Sequence, residues 1–350
     1  MFIIGILPPP LGGVAIHIQR VINKLALQGC IVEAWDVCRA QQGLNQFDYY
    51  LKLLRTIGQS QATTIIYQTV HLRGTGLELL IIWLGAWWSR KELIVVVHSA
   101  RFIQRWVWHW KKVLNWVCSQ ASQIVLVSPQ VQQELEKHRL KFKDNLRVEE
   151  PFLPPDLSQK EQILAQLPEN CKLFIDNHRP LVVVTVTRMA TWHGQDLYGL
   201  DLALEAWPKF LAQFPQTGLL VAIAHLEPSQ KIQLPKNCYL LANWPHELWP
   251  VIAQADLFLR PTRSDGYSVS VSEAIYFKIP AIASNVCPRP TGTILFKSGC
   301  AKDLAQQMAT FWQNTTTSSL LQPRSKTDMP HSWPKHQPKL HKMQLGKDSR

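Results

Sequence analysis

Charge is scarce in this chain. Only 18% of its 350 residues are Asp, Glu, Lys or Arg, while 46% are hydrophobic. Globular chains usually carry about a quarter charged residues, and a disordered chain would show the opposite balance of low hydrophobicity and high charge. The seven cysteines (Cys30, Cys38, Cys118, Cys171, Cys238, Cys287, Cys300) are scattered, with no Cys-x-x-Cys pair. An odd, dispersed set argues against a disulfide framework or a zinc site and suits a reducing cytoplasm. No Asp-x-Asp pair of the metal-holding kind occurs. The most apolar run, Leu77 to Trp88, falls short of the roughly 18 to 20 residues that span a bilayer. The apolar start, MFIIGILPPPLGG, has no basic flank and no small-residue cleavage site, so no signal peptide is expected. The 16 glycines and 23 prolines show no period, which removes collagen-like and low-complexity classes.

What is present is an alternation of strand-length apolar runs with longer amphipathic stretches. Phe2–Leu7, Ile31–Trp35, Thr64–Val70, Leu93–His98 and Ile124–Val127 are near-continuous runs, separated by helical patterns such as Val14–Leu27 and Phe102–Val117. After the proline-rich stretch Glu149–Asp156 the pattern restarts with Leu181–Thr187, Gly218–Ala224, Cys238–Ala242, Asp256–Arg260 and Ala281–Ser284. Apolar strands joined by helices predict parallel sheets covered on both faces, in two doubly wound α/β domains. The expected boundaries are a first domain over 1–155, a connector over 156–178, a second domain over 179–310 and a disordered basic tail over 311–350. The net charge is +12, and from Leu321 to Arg350 seven basic residues face two acidic ones. Charge alone does not choose among phosphates, anionic lipid and nucleic acid.

Ligands of open α/β sheets bind beyond the carboxyl ends of the strands, so the strand-to-loop junctions carry the chemistry. Gly12 and Gly13, between the first strand and its helix, would let backbone amides approach an anion; the competing reading is a tight turn with positive φ. His98 ends the strand LIVVVH, facing either a ligand or a nearby backbone carbonyl. Arg188 follows LVVVTVT, where a guanidinium could take a phosphate bidentately or form a surface ion pair. Asn243 and Trp244 follow CYLLA, and the Trp either holds a planar base or caps the core. The segment Asp265-Gly266-Tyr267-Ser268 leads into a helix expected near Ser270, with Glu273 in its first turn. Two carboxylates eight positions apart can both face a polyol across that helix end. Alternatively, Ser270-x-x-Glu273 is a capping box and Asp265 an Asx turn. The helix around Trp106, Trp110, Val113, Leu114 and Val117 either packs on the core or lies on anionic lipid.

In combination these segments resemble the retaining glycosyltransferases of family four, the glycogen-synthase-like group. The match runs from about residue 4 to about residue 308 through PLGGVAIHIQRV, VVVHSARF, IVLVSPQVQQEL, VTVTRM and NWPHELWPVIAQADLFLRPTRSDGYSVSVSEAIYFKIPAIAS. The resemblance implies a GT-B fold, two facing Rossmann-like domains with an inter-domain cleft. It implies transfer of a sugar, with retention, from a nucleoside-diphosphate sugar to a glycan or lipid-linked acceptor in cell-surface polysaccharide or glycolipid synthesis. No metal or other cofactor is expected, and the protein would be cytoplasmic, with peripheral contact to an anionic membrane and no nucleic acid partner. By the same resemblance Glu273 would hold the donor ribose and Asp265 the transferred sugar. Arg188 would bind the diphosphate, Gly12 and Gly13 would approach the phosphates, His98 would stand near the reacting sugar, and Asn243 and Trp244 would border the base. The catalytic set is therefore His98, Arg188 and Asp265. Gly266, Tyr267 and Ser268 join the donor-binding set. Two departures stand out. The family's Lys-Gly after the Arg reads His193-Gly194 or Tyr198-Gly199 here, and the terminal helix that returns to the first domain is not found beyond Met308. A relative that binds nucleotide sugar without turnover, and a basic nucleic-acid-binding protein, are the competing readings.

Overall fold

The computed structural model describes residues 1–9, 11–69, 77–98, 111–137 and 145–317. The first unit comprises β1 (Phe2–Gly5), α1 (Gly13–Leu27), β2 (Glu33–Asp36), α2 (Val37–Ala40), α3 (Gln46–Gln59), β3 (Thr64–Gln68), α4 (Leu77–Trp88), β4 (Glu92–Val97), α5 (Lys111–Gln120), β5 (Gln123–Leu126), α6 (Pro129–Lys137) and β6 (Leu146–Val148). The second begins with α7 (Lys160–Ala165), α8 (Glu169–Asn177) and β7 (Leu181–Arg188), followed by the hairpin β8 (Thr191–Trp192) and β9 (Gln195–Asp196). It continues through α9 (Leu200–Gln213), β10 (Gly218–His225), β11 (Cys238–Ala242), α10 (Trp249–Ile252), β12 (Leu257–Arg260), α11 (Val269–Tyr276), β13 (Ala281–Ser284), β14 (Ile294–Phe296) and α12 (Ala301–Thr317).

Each unit is built on a six-stranded sheet, in the orders β2-β1-β3-β4-β5-β6 and β11-β10-β7-β12-β13-β14. All pairings within both are parallel. The doubly wound α/β expectation holds twice over. In its own strand sequence the second sheet has the Rossmann order 3-2-1-4-5-6, which reverses direction between β7 and β12. The first sheet reverses between β1 and β3. Each reversal opens a crevice at the carboxyl ends of the central strands, and the site residues gather there.

The unbroken apolar runs are explained by burial on both faces. In β4 every residue after Glu92 is buried, and in β7 burial extends from Leu181 through Val186. Burying one such side chain contributes about 1.5 to 3 kcal/mol. The second sheet separates two cores, one holding Val183, Leu220 and Phe258 and the other Val182, Leu219 and Trp207.

Several expectations change. The connector over 156–178 is not a linker: Ile163, Leu167, Cys171 and Ile175 of α7, α8 and the turn between them belong to a core of the second unit. Its polar appearance came from the exposed faces of two short amphipathic helices. The boundary at residue 310 is also too early. Helix α12 runs through Thr317, and Phe311 and Trp312 pack on the core, the latter edge-on to Phe214 at 6.5 Å. The rest of the expected tail lies outside the described residues. Of the expected helix over 102–117, only Lys111 onward is described, and there Val117 is fully buried while Val113 packs against the core. That face is core-facing, the blander of its two readings; Trp106 and Trp110 lie outside the described residues. All seven cysteines are free.

Candidate functional site: the facing strand ends

Gly12 and Gly13 stand where the first unit meets the second. Gly12 caps α1 with φ −100° and ψ 160°, and neither glycine has positive φ. The tight-turn reading is thereby excluded, and close approach explains Gly12, whereas the space at Gly13 would take a Cβ at ordinary contact distance. A Cβ on Gly12 would lie 3.2 Å from Thr187 Cγ2, and one on Gly13 would lie 3.8 Å from Val269 Cγ2, both in the second unit. The amino end of α1 therefore abuts β7 and the start of α11.

His98, just past β4, is buried. Its Nε2–H donates to Gln68 Oε1 at 2.7 Å, and its backbone amide donates to Thr69 Oγ1 at 3.3 Å. This partner is a side chain at the neighbouring strand end. His17 of α1 sits edge-on to His98 with ring centroids 5.4 Å apart, and its Nδ1–H donates to the Pro151 carbonyl at 2.6 Å. Burial lowers the His17 pKa to about 4, with the Arg20 charge pushing the same way against that hydrogen bond. It is a neutral ring at physiological pH.

Arg188 ends β7 exposed and unpaired among the described residues, near enough to Cys38 of the first unit to act on its thiol electrostatically. Asp265 is differently placed. Its Oδ2 accepts from Arg260 Nε at 3.2 Å and Arg289 Nη1 at 2.9 Å. Those guanidiniums overcome a burial that would raise it and hold its carboxyl down at about 2. Its Oδ1 accepts from the amide of the next residue, Gly266, at 3.2 Å, one residue short of the contact that an Asx turn makes. Two arginines on one carboxylate leave this strand edge positively charged.

The departures from the Lys-Gly pattern become concrete here. His193 and Gly194 have φ of 49° and 77° and form the two-residue turn of the β8–β9 hairpin, the geometry such tight hairpins require. Gly199 has φ 69° and caps α9, where an added Cβ would fall 1.9 Å from the Pro261 carbonyl oxygen. No other residue fits. Beside it, the Arg260 guanidinium lies over the Tyr198 ring at 5.4 Å.

Helix α11 is capped by Ser268, whose hydroxyl accepts from the Val271 amide at 3.3 Å. The capping box expected at Ser270 and Glu273 does not form. Instead Glu273 is buried and pairs with Arg20 of α1, which also pairs with Glu247. Burial raises the Glu273 pKa, with Glu247 adding to the rise and Arg20 opposing it. Tyr267 packs on the first unit's core and accepts from Ser272 Oγ at 3.0 Å. Asn243, at φ 54°, pins a loop: its Oδ1 accepts from the Leu226 amide at 2.8 Å and its Nδ2 donates to the Leu226 carbonyl at 3.1 Å. Trp244 is buried in the core beside Trp249, as the core-capping reading had it.

Arg188 thus ends β7 while Asp265 and Gly266 follow the adjacent β12, and α1 brings Gly13 and Arg20 to α11. Arg20, His17, Glu247, Arg260 and Arg289 were not singled out from the sequence. A signal existed for two of them: Gly13, His17 and Arg20 fall at helical spacing on one face of α1, where polar residues on a buried stripe ask for partners. Among the described residues no three His, Cys, Asp or Glu side chains are grouped to hold a metal ion, and no helix is long and apolar enough to cross a membrane.

Residues 180–314 match the family model described as glycosyl transferases group 1. No curated protein matches the chain in sequence. Solved structures with similar folds include HepE of Anabaena in complex with UDP and glucose, at 14% identity, TM-score 0.62 and 90% coverage of both chains. Sucrose-phosphate synthase from Thermosynechococcus elongatus matches at 16% identity, TM-score 0.62 and the same coverage. The UDP-forming α,α-trehalose-phosphate synthase from Burkholderia vietnamiensis matches at 11% identity and TM-score 0.60, over 88% of this chain and 90% of that one.

Proposed function

We propose, for a chain with the GT-B fold whose second domain belongs to the glycosyl transferases group 1 family, that it transfers a sugar from a nucleoside-diphosphate sugar to a glycan or lipid-linked acceptor. The observation that carries this reading is the positive edge at the reversal of the second sheet, where Arg188, unpaired among the described residues, ends β7 and Arg260, closing the adjacent β12, shares Asp265 with Arg289. A departing diphosphate develops charge that fixed cations and helix-end amides stabilise without reorganising. Arg188 takes the diphosphate, and the amides opening α1 and α11 approach it across the close contact at Gly12. Arg260 on Tyr198 restores the positive charge that the missing Lys would supply. Glu273 receives the ribose hydroxyls, the loop at Asn243 borders the base, and Gly266, Tyr267 and Ser268 shape the loop between. His98 lies on the acceptor side, hydrogen-bonded to Gln68. With these cations in place the chemistry runs without a metal and with retention at the anomeric carbon. Closure of the domains excludes water, so transfer wins over hydrolysis.

Membrane contact has support in one patch. On α4, Trp87 and Trp88 are 64% and 82% exposed, and Trp83 bridges Trp87 and half-exposed Trp116 of α5. Exposed Lys112 lies one turn before Trp116, and exposed Arg90 follows α4, with Glu92 the acidic neighbour. Tryptophans with flanking cations suit the interface of an anionic bilayer, the setting of a lipid-linked acceptor.

The deciding experiment is calorimetric titration with UDP-, GDP- and ADP-sugars, followed by donor turnover with EDTA present. Saturable binding of one class that disappears in Arg188→Ala supports the reading, and an EDTA-resistant product with the donor's anomeric configuration supports the finer mechanism. Binding of none of the three overturns it. Because Asp265 is engaged by two arginines, a binder without turnover is the second reading. Saturable binding with no nucleotide release would favour it. Vesicle flotation tests the patch: wild type should float with anionic vesicles, and a W87S/W88S variant should not.

A further inference from the structure

Arg20 is the one cation that α1 sends into the second domain's buried interior. Its side chain is 6% exposed, and its contacts come from three parts of the chain. One Nη donates to the Leu153 carbonyl, between β6 and α7, at 2.8 Å, and the other is shared by Glu247, before α10, and Glu273, on α11. Its Nε has no partner among the described residues. One guanidinium therefore serves two carboxylates, a buried group with net negative charge.

Such an arrangement is expensive to isolate from water. A buried carboxylate stays ionised only with a partner close by, and removing that partner costs more than the pair contributes. Glu273 has one such partner, and it belongs to the other domain. We propose that Arg20 is a positioning residue for the donor: it orients the Glu273 carboxylate, so that recognition of the donor ribose depends on a side chain of the facing domain. The inference rests on the donor-site reading of Glu273 given above.

The groups facing Glu273 set the sign of the pH effect. Arg20 favours its charged form, Glu247 disfavours it, and burial disfavours it most; His17, one turn before Arg20 on α1, is neutral. A ribose hydroxyl donates best to the ionised carboxylate. Donor affinity should therefore rise with pH as Glu273 loses its proton, and the midpoint should move with its neighbours. In Arg20→Met it moves to higher pH, and affinity at neutral pH falls about tenfold, the loss of one charge-assisted contact. In Glu247→Gln it moves to lower pH. Arg20→Lys, which keeps the charge but loses the fork, keeps a midpoint close to wild type with weaker binding.

The experiment measures the dissociation constant of the donor nucleotide that wild type binds, from pH 5.5 to 9, for these four proteins, with thermal melts alongside. Opposite shifts for Arg20→Met and Glu247→Gln establish the role. Equal midpoints in all four, or tighter binding in Arg20→Met, overturn it; tighter binding would make Arg20 a competitor for the ribose site. If Arg20→Met does not fold, the Arg20→Lys and Glu247→Gln pair carries the same test, and unchanged profiles in both overturn it. Failure of wild type to bind any nucleotide sugar strikes the functional reading instead, so the two failures are distinguishable.

Discussion

The two sheets present the same architecture to each other and opposite chemistry. At the edge of the first, Gln68 and Thr69 hold His98 by hydrogen bonds, and His17, kept uncharged by burial, stands edge-on to it. At the edge of the second, Arg260 and Arg289 share Asp265, and Arg188 ends the adjacent strand. A doubly wound sheet fixes where a ligand sits; the residues closing its central strands decide what kind of ligand that is. Neutral polar groups suit the hydroxyls of an acceptor, and the excess of guanidiniums suits a diphosphate.

The contrast can be broken hardest at Gly199. Alanine there meets the Pro261 oxygen at 1.9 Å and a left-handed backbone. We expect a loss of about 3 kcal/mol or more in urea unfolding, the sum of strain and overpacking. Asp265→Asn comes next. It leaves two largely buried guanidiniums without a counter-charge, which should cost about 3 kcal/mol at neutral pH. Because the folded-state pKa of Asp265 is depressed to about 2 from its ordinary 3.8, its contribution is present above the unfolded value and lost as pH falls through the folded one. The stability gap between wild type and variant should therefore close between about pH 4 and pH 2.

Arg188→Ala should leave the melting temperature unchanged, because the side chain is exposed and unpaired among the described residues, yet weaken donor binding about tenfold to a hundredfold by calorimetry. On the neutral edge, His98→Gln should lower turnover about tenfold while donor affinity stays put, as one hydrogen bond is rearranged; a matching loss of donor affinity would erase the division of labour. The smallest effect is expected from Gly12→Ala. Its Cβ would stand 3.2 Å from the Thr187 methyl, so the domains must separate by a few tenths of an ångström, and donor affinity should fall about twofold.

Much of this was legible because burial on two faces leaves an unmistakable mark on a strand. Runs such as VVVTV in β7 and LIVVV in β4 point to parallel sheets before any coordinates. The three-residue edge strands Leu146–Val148 and Ile294–Phe296 are too short to carry a pattern. Helices α7 and α8 escaped because an amphipathic pair one or two turns long looks polar when its buried residues are only Ile163, Leu167, Cys171 and Ile175. The site was half legible. Positions at strand ends could be named, since topology sends ligands there, but pairings over long separations could not. Nothing near Arg20 in the chain announces partners at positions 247 and 273, and nothing near Asp265 announces Arg289. The close approach at Gly12 was hidden as well, since the Thr187 methyl it accommodates belongs to the other domain.

With α7 and α8 absorbed into the second domain, the link between the domains shrinks to the stretch around Pro151 and Leu153, and α1 grips it at both: His17 holds the Pro151 carbonyl and Arg20 the Leu153 carbonyl. Both grips are on main-chain oxygens, which every amino acid carries. Substitution within the link leaves those acceptors in place, whereas changing either side chain on α1 removes a grip outright. A protein engineer who wants a looser or stiffer opening should therefore leave the link alone and edit two positions on a helix that precedes it by more than a hundred residues.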